Sequence, residues 1–498
     1  MSLSNFQRWV LLFCTITLSL SNATFAHYKF TANKTFTGTV QGDPLLGDGF
    51  GTTVRTNKHF LVVAAPIAEH KGAAGAGIVY VFQKNLKKWE TIQKITAGGS
   101  SDNVGGFQAD LSNNIMVISA TGTPLELIPN ETIDNQDFSG ALMVYKLNRR
   151  IGEGTEWWVP VQVIDKTTPG LEELTNATPE SLNPNQLMTN AQRGAHFGLQ
   201  ATLNKNNHLL LVSAHHQQHS DIHGNQIMNA GAVYALKLDH ESGCYKFMQK
   251  LENPDGPSHN DTFGANVRLH GNYALISNSP VFSAPRTGSN GAVYVYHYHD
   301  KEWTFIQKLT GDSQAPTLVN SQFGLTSVGD GFGSAMALNE HWAIIGAGFE
   351  SKGQGMQLSG AVYFYKFEHK DIGKHLVRKQ KFFSDDADAQ GTAMLHVDIE
   401  DDMVLVADPT RTGPTGHKHQ GGAILYVRHD GKWKQKSVIY DPKGQPHDFF
   451  GYSVALDHEG AFIGSSPYGM LPLTQYGNPM LNLRQPVNGS KAIYFKRK

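Results

Sequence analysis

Short apolar stretches alternate with polar, glycine-rich breaks along almost the whole chain, and they return in a fixed order. A unit opens on Phe-Gly, runs through an apolar stretch, a short turn and a second apolar stretch that ends in small residues. A variable loop follows, then Gly-x-Val-Tyr-x-aromatic, and last an aromatic residue followed by Gln-Lys. The first copy runs from Phe50-Gly51 through Val62-Val63-Ala64-Ala65-Pro66 to Gly77-Ile78-Val79-Tyr80, with Trp89 and Gln93-Lys94 behind it. Further copies open at Phe197-Gly198, Phe263-Gly264, Phe332-Gly333 and Phe450-Gly451. Two more are degenerate, with Gly106-Phe107 and Gln390-Gly391 at the opening position. Seven units of four short strands are therefore predicted, because a fixed-period repeat marks one supersecondary unit used many times.

The strands lack the apolar/polar alternation of a half-exposed sheet. Ile78 to Phe82 is apolar on both alternating faces, so each sheet needs cover on both sides. Sheets stacked around an axis supply that cover, and the pattern predicts an all-β, seven-bladed β-propeller of four-stranded antiparallel blades over residues 27–498. The seventh unit runs out before a fourth strand. Residues 28–40, which precede the first Phe-Gly, hold the β-prone run Thr35-Phe36-Thr37-Gly38-Thr39 and are expected to close the ring.

This Phe-Gly…Ala-Pro…Gly-x-Val-Tyr unit resembles the FG-GAP repeat, found in the integrin alpha-subunit head and in bacterial exported proteins. The resemblance covers residues 28–498 and implies a propeller that binds protein or glycan partners. The chain departs from the family in one respect. Many FG-GAP units carry an Asp-rich calcium loop between their first two strands. The corresponding turns here, such as His270-Gly271-Asn272 and Asn339-Glu340-His341, are too short to supply calcium's oxygen ligands. Calcium is not expected. The one segment closer to such a loop, Asp385-Asp386-Ala387-Asp388-Ala389-Gln390-Gly391, leads into the sixth unit instead.

Composition narrows the function. Formal net charge is −1 and charged residues are only 17%, so no global field draws nucleic acid. An apolar run from Trp9 to Leu20, with small residues at Ala23 and Ala26, reads as a signal peptide over 1–26 and predicts a secreted or cell-envelope protein. No later segment is long and apolar enough to span a membrane. Of two cysteines, Cys14 falls within the signal, leaving Cys244 alone and no intrachain disulfide.

Candidate chemistry concentrates in one loop class. The loops joining second to third strands, and fourth strands to the next unit, are long: 121–139, 165–196, 215–230, 310–331 and 468–490. In a propeller they emerge on one face, an arrangement suited to recognition. Histidine is frequent, at 23, and clusters at His215-His216-Gln217-Gln218-His219-Ser220-Asp221-Ile222-His223. His215, His216, His219 and His223 are candidate ligand-binding residues. His215, His219, Asp221 and His223 could together hold a transition metal, although no cysteine or glutamate completes a known spacing. His417, His419 and the His447-Asp448 pair are weaker candidates. No nucleophile elbow, P-loop, dinucleotide fingerprint or HExxH motif occurs. The expectation is a binding or adhesion module for a protein or glycan rather than an enzyme. A hydrolase or lyase at the propeller mouth and a metal-dependent adhesin using the histidine loop are the alternatives.

Overall fold

Strands apolar on both faces are stable only where both faces are covered, and the computed structural model shows how each is covered. It describes residues 29–498 except 39–47, 67, 69–76, 87, 97–103, 121–139, 150–155, 175–193, 205, 207, 280–289, 313–316, 322–323, 353–358, 371–372, 387–395 and 467–489. Seven four-stranded antiparallel sheets follow one another in chain order. Their first strands are Thr53–Thr56, Val104–Leu111, Ala201–Leu203, Asn266–His270, Phe332–Leu338, Val397–Glu400 and Phe450–Asp457. Each first strand touches that of the next blade, and the seventh touches the first, so the ring is closed. Closure is made by Phe30–Phe36, which pairs antiparallel with Lys491–Arg497 as the outer strand of blade seven. The predicted propeller and its closing strand are both present.

Seven apolar clusters fill the seven junctions between blades, one in each. Second strands such as Phe60–Ala65, Leu209–Ala214 and Met403–Asp408 are buried along their whole length. Each fully buried aliphatic side chain contributes about 1.5–3 kcal/mol, and that burial stabilises a chain with no disulfide.

The repeated landmarks have mechanical roles. The glycine of Phe-Gly sits at φ near +90°, as at Gly198 and Gly451. A Cβ at Gly451 would meet the Gly422 carbonyl oxygen of the preceding blade at 2.1 Å, so only glycine fits. A glutamine at the Gln-Lys position ties the outer strands of blades one to five to the next. Gln93 exchanges two hydrogen bonds of 2.8 Å with the Trp158 backbone. Gln162 does the same with Tyr245, Gln249 with Trp303, Gln307 with Leu376 and Gln380 with Trp433. Where the outer strand is the N-terminal one, Lys34 donates to the Trp89 carbonyl instead. Trp158, rather than Trp157, is thus the structural counterpart of Trp89 and Trp303.

One sequence expectation changes in detail, the place of the tyrosine in the seventh unit, Lys491-Ala492-Ile493-Tyr494-Phe495. In blade seven, Lys491 pairs with Ser465 as Ala361 pairs with Ala347 in blade five. Ile493 therefore stands where Gly-x-Val-Tyr places its tyrosine, and Tyr494 faces blade one. The sixth opening, Gln390-Gly391, lies outside the described residues, as does the 1–26 segment.

Candidate functional site

The two ends of the ring differ as the loop lengths predict. On one face, turns between first and second strands are tight and self-capped. Asn57, Asn339 and Asp457 each accept two backbone N–H bonds from the residues two and three ahead. The other face carries the long loops and two added two-stranded hairpins, His219–Ser220 with Gln226–Ile227 and Thr317–Ser321 with Gly324–Val328.

Repetition separates packing from function on that face. In blade three, Tyr234 and Lys250 converge on Glu173; in blade four, Tyr294 and Lys308 converge on Asp255; in blade five, Tyr363 and Lys381 converge on Glu350. A clasp used three times is scaffold. It also explains the lysine of Gln-Lys, and it drives the phenol pKa values of Tyr234 and Tyr363 upward through burial first and the carboxylates second.

The unrepeated features are three. The first is a polar cavity of 380 Å³ above blade four, where the clasp residues Asp255 and Lys308 are joined by Asn253, Asp261, Asn278 and Asn290. Asp261 accepts from Asn253 Nδ2 at 2.5 Å and from Asn278 Nδ2 at 2.7 Å, while burial raises its carboxyl pKa.

The second feature is the histidine loop. A turn closed by Gln217 N to Ala214 O at 2.9 Å ends the second strand of blade three. It breaks strand alternation, so the rings of His215 and His216 lie 3.9 Å apart between centroids instead of on opposite faces. His196 joins them, with ring centroids 4.8 Å from His216 and 5.7 Å from His215. His219 is directed elsewhere: its Nε2 lies 2.9 Å from the Gly231 carbonyl and its Nδ1 lies 3.2 Å from Glu252. That contact, with Lys250, lowers the Glu252 carboxyl to about 2. Asp221 caps the exposed hairpin turn, accepting from the backbone N–H groups of His223 and Asn225. Of the four residues expected to hold a metal together, His215 alone enters the cluster that the fold gathers; His219, Asp221 and His223 stand outside it. His196 was missed because its partners are brought to it by backbone pairing between the entry segment of blade three and the end of that blade's second strand. The available signal was its position before Phe197, where the backbone takes a left-handed turn.

The third feature is a ring of side chains at one height on the innermost strands. Arg55, Asp110, Thr202, Arg268, Ala337, Asp398 and Ala455 occupy equivalent positions, each opposite the matching residue of its second strand. Asp110 and Asp398 accept the Leu203 and Leu456 N–H groups of the next blade. Burial, and then Arg55, lowers Arg268 to about 9. One step along, His396 is lowered to about 3 by burial and by the two arginines.

The weaker candidates resolve into packing. His419 and His447 stack at 5.2 Å, and Asp448 accepts from Gln445 N and Lys491 Nζ. Asp385 pairs with Arg411, and Asp386 accepts from Thr412 N; the rest of that acidic segment lies outside the described residues.

No family model matches the chain, and no curated protein matches it. Among solved structures it is similar to a candidate 6-phosphogluconolactonase from Bacteroides uniformis, at 9% identity over 78% of this chain and 86% of that chain, TM-score 0.43. It is also similar to the periplasmic gluconolactonase PpgL of Pseudomonas aeruginosa, at 11% identity over 79% and 86%, TM-score 0.39. A third is Sqt1 of Saccharomyces cerevisiae, at 8% identity over 94% and 99%, TM-score 0.44. Among the described residues no helix is long and apolar enough to cross a membrane.

Proposed function

We propose that this chain is an exported binding propeller that recognises a protein or glycan partner through its long-loop face. The carrying observation is that the long-loop face bears a polar cavity at blade four, where Asn253, Asp261 and Asn278 join the clasp residues Asp255 and Lys308, and an added hairpin at blade three. Ring closure and blade packing require neither. The cavity offers amides, carboxylates and an ammonium, groups that hydrogen-bond hydroxyls and peptide groups. The hairpin projects Ile222, 95% exposed, beside His223. His215 and His216 are buried and support that loop from beneath, while His219 fixes its base through Glu252. The resemblance of the repeat to FG-GAP units and the apolar leader support the same reading.

A screen of the full mature chain against a glycan array, with cross-linking to surface-protein extracts, tests it. Binding of every captured ligand should weaken at least tenfold in Ile222→Asp or Asn278→Ala. Leu86→Asp, an exposed position on the short-turn face, should change nothing. Ligands lost with Leu86→Asp and kept in the other two variants would sink the reading.

A second reading, a hydrolase or lyase at the propeller mouth, draws on the axial ring, where arginines, carboxylates and His396 meet. Its residues also brace neighbouring blades. Turnover of lactone or ester substrates abolished by Arg268→Met, in a protein that melts normally, would favour it.

A further inference from the structure

We propose that His196, His215 and His216 form a site for zinc or a neighbouring late first-row divalent ion. The candidate nitrogens of the three imidazoles all lie within 4.8 Å of one another. Tetrahedral zinc with Zn–N bonds of about 2.0–2.1 Å needs nitrogens about 3.4 Å apart. Binding would draw the three nitrogens together by about 1.4 Å at most, a shift within the reach of imidazole side chains.

The surroundings select the ion class. No carboxylate or thiolate belongs to the group. Calcium and magnesium demand oxygen ligands, so a set of three neutral imidazoles excludes them and suits zinc, copper or nickel. His215 and His216 are 2% and 3% exposed, and His196 is partly exposed, so three protein ligands close one side and leave a fourth position toward the mouth.

The fold places these ligands on rigid supports. His215 and His216 follow directly on the buried second strand of blade three, where other blades have Pro66, Ser279, Gly348 or Pro409. His196 stands at φ +52° immediately before Phe197, the position that glycine fills in blades one and five as Gly49 and Gly331. The Ala195 carbonyl accepts the His216 N–H at 3.3 Å, which holds the two segments in register. This site needs no partner, so its failure would leave the proposed recognition role untouched.

The test is titration calorimetry of the full chain, stripped with chelator, against zinc chloride in a non-coordinating buffer. One equivalent should bind and raise the melting temperature. His196→Gln and His216→Gln should each weaken binding at least tenfold. Asp221→Asn and His223→Gln should bind as the parent does. Should the ligand variants not fold, X-ray absorption of the zinc-loaded parent decides: three imidazole nitrogens are expected. No saturable binding, loss of binding with Asp221 or His223 but not with His196, or a shell containing the Cys244 sulfur would each overturn the proposal.

Discussion

Blades three and six meet the same local problem with opposite chemistry. In both, the second strand ends at the mouth of the ring beside a loop from the preceding blade. Blade six seals this point with charge. Asp408 is fully buried, and Arg411 bridges it at 3.2 Å while also donating to Asp385 at 2.6 Å and Tyr440 at 3.0 Å. Ser384 adds a fourth bond, to Asp408 at 3.1 Å. Blade three places His215 and His216 there and receives His196 from the preceding loop. One mouth is a closed electrostatic clasp. The other is a set of neutral ligands that can be completed by a cation. An identical scaffold thus permits either, and the side chains at two or three positions decide which.

The largest effect should follow from breaking the clasp. Arg411→Met leaves Asp408 buried without its cation, and removing one partner of a buried pair costs about 3–5 kcal/mol. Arg411→Met combined with Asp408→Leu should recover most of that loss. Thermal melts of the two variants check it, and a single variant as stable as the parent would show that water, not Arg411, satisfies Asp408.

The blades also differ one step inside the ring, where blade six has His396 and blade three has Gln200. The folded His396 titrates at about 3 against an ordinary 6.5, because burial, Arg55 and Arg268 oppose its charge. Between those values the unfolded chain binds the proton and the folded chain does not. Stability is therefore unaffected above pH 6.5 and falls as pH drops from 6.5 toward 3, by up to about 5 kcal/mol. His396→Gln, which copies blade three, should flatten that acid limb in melts from pH 8 to pH 4. An unchanged acid limb would mean the lumen admits the protonated ring.

Much of this architecture was legible in the sequence. The returning Phe-Gly and Gly-x-Val-Tyr landmarks, apolar on both strand faces, gave the blade count, and the missing last strand pointed to Phe30–Phe36. Loop lengths identified the long-loop face. The site was less legible. His215 and His216 read as neighbours in a polar loop, and the sequence could not show that a turn at Ala214 aims both rings one way. His196 lies nineteen residues before His215 in the chain and joins because the segment entering blade three pairs with the end of that blade's second strand. Gln93 and Gln249 looked like a packing landmark; their bonds to the next blade's backbone depend on the ring itself.

Removing a ring from the blade-three cluster should cost less than breaking the blade-six clasp. His216→Ala deletes a buried side chain whose cluster contains no carboxylate, a loss of about 1–2 kcal/mol. A loss as large as that of Arg411→Met would place the cluster among the clasps and erase the contrast between the two mouths.

The smallest effect on stability, and the sharpest on function, is expected at the hairpin above that cluster. The His219 contacts with Gly231 and Glu252, the Gln217 bonds with Gly231 and Glu173 at its base, and those of the segment after it with residues 259–263 hold it to the ring. Glu252 is itself half-exposed, and exposed pairs contribute less than about 1 kcal/mol. Replacing residues 220–226 with a short Asn-Gly turn keeps His219 and the ring but removes Ile222, His223 and the Asp221 cap. Melting should then stay within about 0.5 kcal/mol of the parent. Binding of partners captured by the parent should be lost, because the tip that projects from the long-loop face is gone. If the shortened protein melts normally and binds each partner as tightly as before, the hairpin is ornament, and recognition must reside in the blade-four cavity alone. If instead it melts well below the parent, the hairpin belongs to the scaffold, and blade three is no more open than blade six.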